Sequence, residues 1–178
     1  MANSMGHHTS SPASHYSLFA KILHWGFVLL FAYGIATQIN EADDLNDAAV
    51  FFDEILFASL FLLLLIIRFA YMSLTQKTAL PDGTPAIQKK AAKYVHLAMY
   101  ITLAAIALSG LLIGLVHSIS GLDGVIAEAI IGLHEGLVSL IYGLIGLHVI
   151  AALYHRFRRD GVWRAMVPIG EKADRKHK

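Results

Sequence analysis

The sequence predicts an all-α fold, a transmembrane four-helix bundle with both termini in the cytoplasm, and three observations carry that expectation. Hydrophobic residues make up 56% of the chain and charged ones only 15%, well below the charge usual in a soluble domain. Four apolar stretches, at about 18–39, 49–74, 94–119 and 125–155, are each long enough to cross a hydrocarbon core, which takes roughly 20 residues. All 14 lysines and arginines fall into three blocks, at Lys21, from Arg68 to Lys93, and from Arg156 to Lys178. The positive-inside rule then puts both termini and the middle loop in the cytoplasm.

Each stretch is expected to be a helix, because lipid offers backbone groups no partner outside their own segment. The connections differ in character. EADDLND after the first stretch is acidic, TQKTALPDGTPAIQKKAAK after the second is basic with two prolines, and SGLDG after the third is a short turn. On the charge pattern, the first and third connections face the periplasm of a bacterial inner membrane. Residues 1–16 read as a polar cytoplasmic tail without the charged start and apolar run of a signal peptide. Residues 17–168 form the membrane domain, and 169–178 a basic cytoplasmic tail. His7 and His8 in the first tail suit a polar tail better than a metal site. DGVWRAMVP at 160–168 is expected to be a short helix on the inner surface, with Trp163 and Met166 toward lipid. Trp25 and Trp163 fit an interfacial aromatic belt.

Composition excludes several chemistries. With no cysteine, the chain has no disulfide, no thiolate nucleophile, no cysteine-ligated iron–sulfur cluster and no covalent haem attachment. Net charge near +1 gives no sign of a nucleic-acid partner, and none is expected. Histidine remains as the main soft ligand.

The histidines form a pattern. His134 and His148 are fourteen residues apart, which on a helix is about 21 Å along the axis and about 40° short of four full turns. One face of one helix thus offers two ligand planes, spacing that suits two stacked macrocycles. His24 enters from the cytoplasm one turn after Lys21, and His148 leaves toward it two turns before Arg156, so the two lie at similar depth. Imidazoles on opposing helices can fill both axial positions of a haem iron, giving a centre that passes electrons without an open site. The competing readings are a packing hydrogen bond, a proton relay or a metal ligand. Gly132, Gly136, Gly143 and Gly146 favour a planar cofactor by clearing space on the last helix, with close helix packing as their alternative.

Together these residues resemble the bacterial cytochrome b561 family. GLHVIAALYHRFRRDGVWRAMVP at 146–168 is similar to its last helix and tail, HYSLFAKILHW at 15–25 to its start, KYVHLAMY at 93–100 to its third-helix histidine segment, and GLHE at 132–135 stands where the family has WHE. The resemblance spans roughly 15–168 and implies an inner-membrane dihaem b-type cytochrome moving electrons to or from quinone in a respiratory chain. It implies His24 and His148 as ligands of the cytoplasmic-side haem b iron and His134 as a ligand of the other. That haem's second ligand in the family lies fourteen residues before an arginine, and counting back from Arg68 lands on Glu54. The chain departs from the family there, within VFFDEILF. A haem with one histidine and an unusual or absent sixth ligand, no second haem, or ligation by His117 then remain open. Glu54 or Asp53 is a candidate sixth ligand or a proton carrier or salt-bridge partner for His134.

Softer expectations attach to other residues. Arg68 is a candidate partner for a haem propionate or an ordinary inside anchor. His96 and His155 are candidates for propionate contact or quinone protonation. Besides lipid and quinone, a periplasmic electron-transfer partner docking on EADDLND and a second copy of the chain are candidate partners. Two rival functions stay in view: the cytochrome b subunit of a hydrogenase- or formate-dehydrogenase-like complex, and a non-haem membrane anchor or proton-relay protein.

Overall fold

The structure, a computed structural model, describes residues 16–37, 45–75, 79–81 and 83–167. His7, His8, the basic 169–178 tail and most of the acidic loop lie outside the described residues. Five helices follow in order: α1 Leu18–Ala36, α2 Ala48–Thr75, α3 Ala86–Ser120, α4 Val125–Arg158 and the short α5 Val162–Met166. Among the described residues there is no strand, and the first four helices are long and apolar enough to cross a membrane. Their outer faces expose leucine, isoleucine and phenylalanine along most of their length, a distribution that only lipid would cover without penalty.

Local chemistry sets the helix ends. Ser17 caps α1 by accepting from the Ala20 N–H at 3.1 Å, and Asp47 caps α2 by accepting from Ala49 at 2.8 Å. Both satisfy donors that the first turn leaves orphaned. Pro85 opens α3, where a missing N–H costs nothing. That helix therefore starts at Ala86, well before the apolar stretch at 94. Hydropathy marks only the part in lipid, whereas the preceding AIQKKAAK is rich in good helix formers. Gly121 and Gly124, at φ 72° and 102°, turn the chain from α3 into α4, conformations that cost a side-chain-bearing residue strain.

Close packing runs from α1 to α2, α2 to α3 and α3 to α4, with α5 against α4. Backbones of α1 and α4 do not pack closely against each other, so the α1–α4 seam is loose. Successive helices run in opposite directions. The Ser17 and Tyr71 hydroxyls meet at 2.9 Å and the His96 and His148 rings touch, gathering the start of α1, the end of α2, the start of α3 and the end of α4. This is the terminal end. At the far end the Phe51 and His117 rings lie 5.5 Å apart. Between the ends sits an apolar core of Phe61, Leu65, Leu103, Ala107 and Ile141.

The expected helix at 160–168 is present as α5. Its Ala165 is fully buried, Trp163 stacks under the Arg156 guanidinium at 5.0 Å, and the Met166 carbonyl accepts from the Trp25 indole N–H at 3.2 Å. The two tryptophans thus tie α5 to α4 and α1.

Candidate functional site

At the terminal end, Arg68 is buried to 8% exposure, a costly place for a cation unless something there uses it. Its Nη2 donates to His24 Nδ1 at 2.9 Å. Nη1 is buried and has no hydrogen-bond partner among the described residues. The hydroxyls of Tyr100 and Tyr16 lie near the guanidinium. Burial pushes the Tyr16 phenol above its ordinary value, while the Ala79 backbone and Arg68 pull it the other way.

His24 is close enough to interact electrostatically with Arg68, His148 and His96, so α1, α2, α3 and α4 each give one polar side chain to this cluster. The His96 and His148 rings meet edge to face at 5.0 Å. His96 donates from Nδ1 to the Ala92 carbonyl at 2.7 Å, which leaves its Nε2 lone pair free. His155 sits apart from the cluster, paired with Asp160 at 2.6 Å. Asp160 in turn accepts from Val162 N at 3.3 Å, so this pair fixes the α4–α5 turn.

The far half contains a cavity of about 360 Å³ with walls from all four membrane helices. His134 and Glu54 both line it, as do Glu135 and Tyr142. His117 does not line it and packs on Phe51 instead. The His134 Nδ1 lies 2.9 Å from the Ser109 hydroxyl, an α3 partner that sequence reasoning missed because a serine in an apolar helix carries no signal of which neighbour it faces. The α4 glycines also play a different part from the one expected. Gly132, Gly136, Gly143 and Gly146 have open space where a Cβ would stand, on the face about 160° from the histidines. The glycines that border the cavity are Gly34 of α1 and Gly110 and Gly114 of α3.

The terminal-end residues fit a haem. Imidazoles on α1 and α4 flank the loose seam, and the unpartnered Arg68 Nη1 is a ready donor for a carboxylate beside them. Among the described residues, no three histidine, aspartate or glutamate side chains converge as a bare-ion site would need. Imidazoles in ones and twos instead suit a metal that brings its own equatorial ligands.

A membrane four-helix bundle with imidazoles turned inward from facing helices is an architecture in which cofactor sites are built. The chain belongs to the prokaryotic cytochrome b561 family, whose model matches residues 15–168. Membership makes it a membrane b-type cytochrome of electron transfer that binds b-type haem. No curated protein and no solved structure matches it.

Proposed function

We propose that this protein is an electron-transfer cytochrome of the bacterial inner membrane that holds haem b between α1 and α4 through His24 and His148 and exchanges electrons with the quinone pool. The observation that carries this reading is the terminal-end cluster, in which His24, His148 and His96 surround a buried Arg68 with one nitrogen unpaired. Haem supplies one-electron chemistry when bound.

Each residue has a distinct task. His24 and His148 ligate from opposite sides of the seam. His96 touches His148 edge to face and holds that ring in position. Arg68, while donating to His24 Nδ1, keeps the His24 proton on Nε2, the reverse of the tautomer that offers Nε2 to iron. With haem bound, Arg68 would pair with a haem carboxylate instead of His24, leaving His24 Nδ1 free to carry the ring proton. His96 is exposed, and its Nε2 lone pair can take a proton from a quinol arriving from lipid.

The test is the haem content and spectrum of purified protein in which His24 or His148 is changed to alanine. Each change is expected to remove the low-spin bis-histidine signal, and reduction of the wild-type haem by a quinol analogue should slow at least tenfold in His96→Phe. A low-spin signal intact in both alanine variants would sink the ligand assignment. An unreactive quinol would remove the quinone.

A further inference from the structure

Helices α1 and α4, which carry His24 and His148, are joined at the terminal end through α5. The joint is strong on one side and weak on the other. On the α4 side the chain reverses at Gly161, whose φ of 91° a residue with a side chain adopts only under strain. Asp160 braces that turn with both oxygens, Oδ2 against His155 Nδ1 at 2.6 Å and Oδ1 accepting from the Val162 N–H at 3.3 Å. Trp163 stacks under Arg156 of α4 at 5.0 Å, a cation–π contact, and Ala165 is fully buried. These ties fix α5 to α4, so the two move together.

On the α1 side α5 is held by the bond from the Trp25 Nε1–H to the Met166 carbonyl, which is 3.2 Å long and exposed. Exposed hydrogen bonds open at the low end of a protein's free-energy scale. The contacts α1–α2, α2–α3 and α3–α4 are closely packed, whereas the backbones of α1 and α4 are not. Parting α5 from α1 therefore lets the α1–α4 seam widen. Trp25 also meets the His24 ring edge to face, at 5.7 Å between centroids. The side chain that closes the seam thus lies against one of the two imidazoles.

We propose that α5 is a clasp across the α1–α4 seam. Seated on Trp25, it retains a haem held by His24 and His148 and steadies the His24 ring; released from Trp25, it opens the route by which haem enters. The proposal rests on the reading of His24 and His148 as the ligand pair. A rigid planar macrocycle reaches imidazoles on two facing helices by passing between them, which a tie from one helix to the other obstructs. The braced turn at Asp160 is the fixed side of the clasp, and the indole N–H is its release point.

The experiment uses the full chain. Haem retention is read as transfer to apomyoglobin, and haem uptake as growth of the Soret band when haemin is added to the apoprotein. Trp25→Phe keeps a ring beside His24 and removes the N–H donor. It should keep the low-spin spectrum and release haem about fivefold faster than wild type, the factor that one ordinary hydrogen bond sets. Because the chain has no cysteine, Trp25→Cys combined with Met166→Cys can be joined by a short bis-maleimide. Joined before haemin is added, the protein should load about tenfold more slowly than the unjoined pair, because the local opening is blocked. Joined after loading, it should release haem more slowly by a similar factor. Equal loading of joined and unjoined apoprotein overturns the clasp, as does a wild-type release rate in Trp25→Phe. Either result, with the low-spin signal still lost in His24→Ala and His148→Ala, leaves the ligand reading standing. A low-spin signal that survives both alanine changes removes that reading and the clasp with it.

Discussion

Arg68 brings together a buried charge, a tautomer and an unpaired donor. Its replacement by leucine frees His24 Nδ1 but removes the guanidinium proposed to pair with a haem carboxylate. A charge-assisted hydrogen bond is worth about 1.5–3 kcal/mol, so haem should transfer to a scavenging apoprotein with about 10- to 100-fold weaker retention. Loss of a nearby positive charge also favours the oxidised iron. The midpoint potential should fall by up to about 60 mV, the span of one factor of ten for a one-electron couple, and a redox titration showing a rise would contradict the assignment. Ser109 makes the matching prediction for the far end. Ser109→Ala removes the hydroxyl that His134 Nδ1 contacts at 2.9 Å and should lower stability in thermal unfolding by about 1 kcal/mol, the worth of an ordinary hydrogen bond, while Ser109→Thr should preserve it. That His24, His148 and Arg68 lie at one depth was legible in the sequence, because a helix in lipid has fixed rise. Ser109 and the Trp25–Met166 bond were not, since each depends on which helix faces which.

At the scale of elements, the glycines divide by face. Those of α4 look outward, whereas Gly34 of α1 admits the ring of Phe57, whose Cζ would stand 2.6 Å from an added Cβ. That ring is caged by Tyr33 and Phe61, at 5.8 and 5.9 Å between centroids, and cannot swing away freely. Gly34→Ala should therefore cost about 1–3 kcal/mol of stability through overpacking, offset in part by the helix propensity of alanine. Thermal unfolding in detergent should show the loss, and Phe57→Leu in the same chain should restore it. A Gly34→Ala protein as stable as wild type would mean that α1 and α2 are free to part. The four membrane helices were legible because apolar length is a direct consequence of the bilayer. The early start of α3 and the partner of each glycine were not, because hydropathy is blind to helix outside lipid and to rotation about the axis.

Across the whole molecule, α2 and α4 carry matching ladders. Glu54 and Arg68 on one, and His134 and His148 on the other, are fourteen residues apart, with the fully buried Ile141 midway between the histidines. Because the two helices run in the same direction through the membrane, each half receives one pair: Arg68 with His148 at the terminal end, Glu54 with His134 at the far end. Which end faces the cytoplasm decides where each site exchanges electrons, and the charge distribution predicts that it is the terminal end, since the lysines and arginines of the described residues lie there and cationic loops resist translocation. The absence of native cysteine makes this directly testable. Asp123 lies exposed in the α3–α4 turn at the far end and Gln88 is exposed at the start of α3 at the terminal end. In intact spheroplasts, Asp123→Cys should react with a membrane-impermeant maleimide and Gln88→Cys should react only after lysis. The opposite pattern would place the Arg68 cluster outside, where a quinol proton taken by His96 would be released to the periplasm rather than to the cell interior.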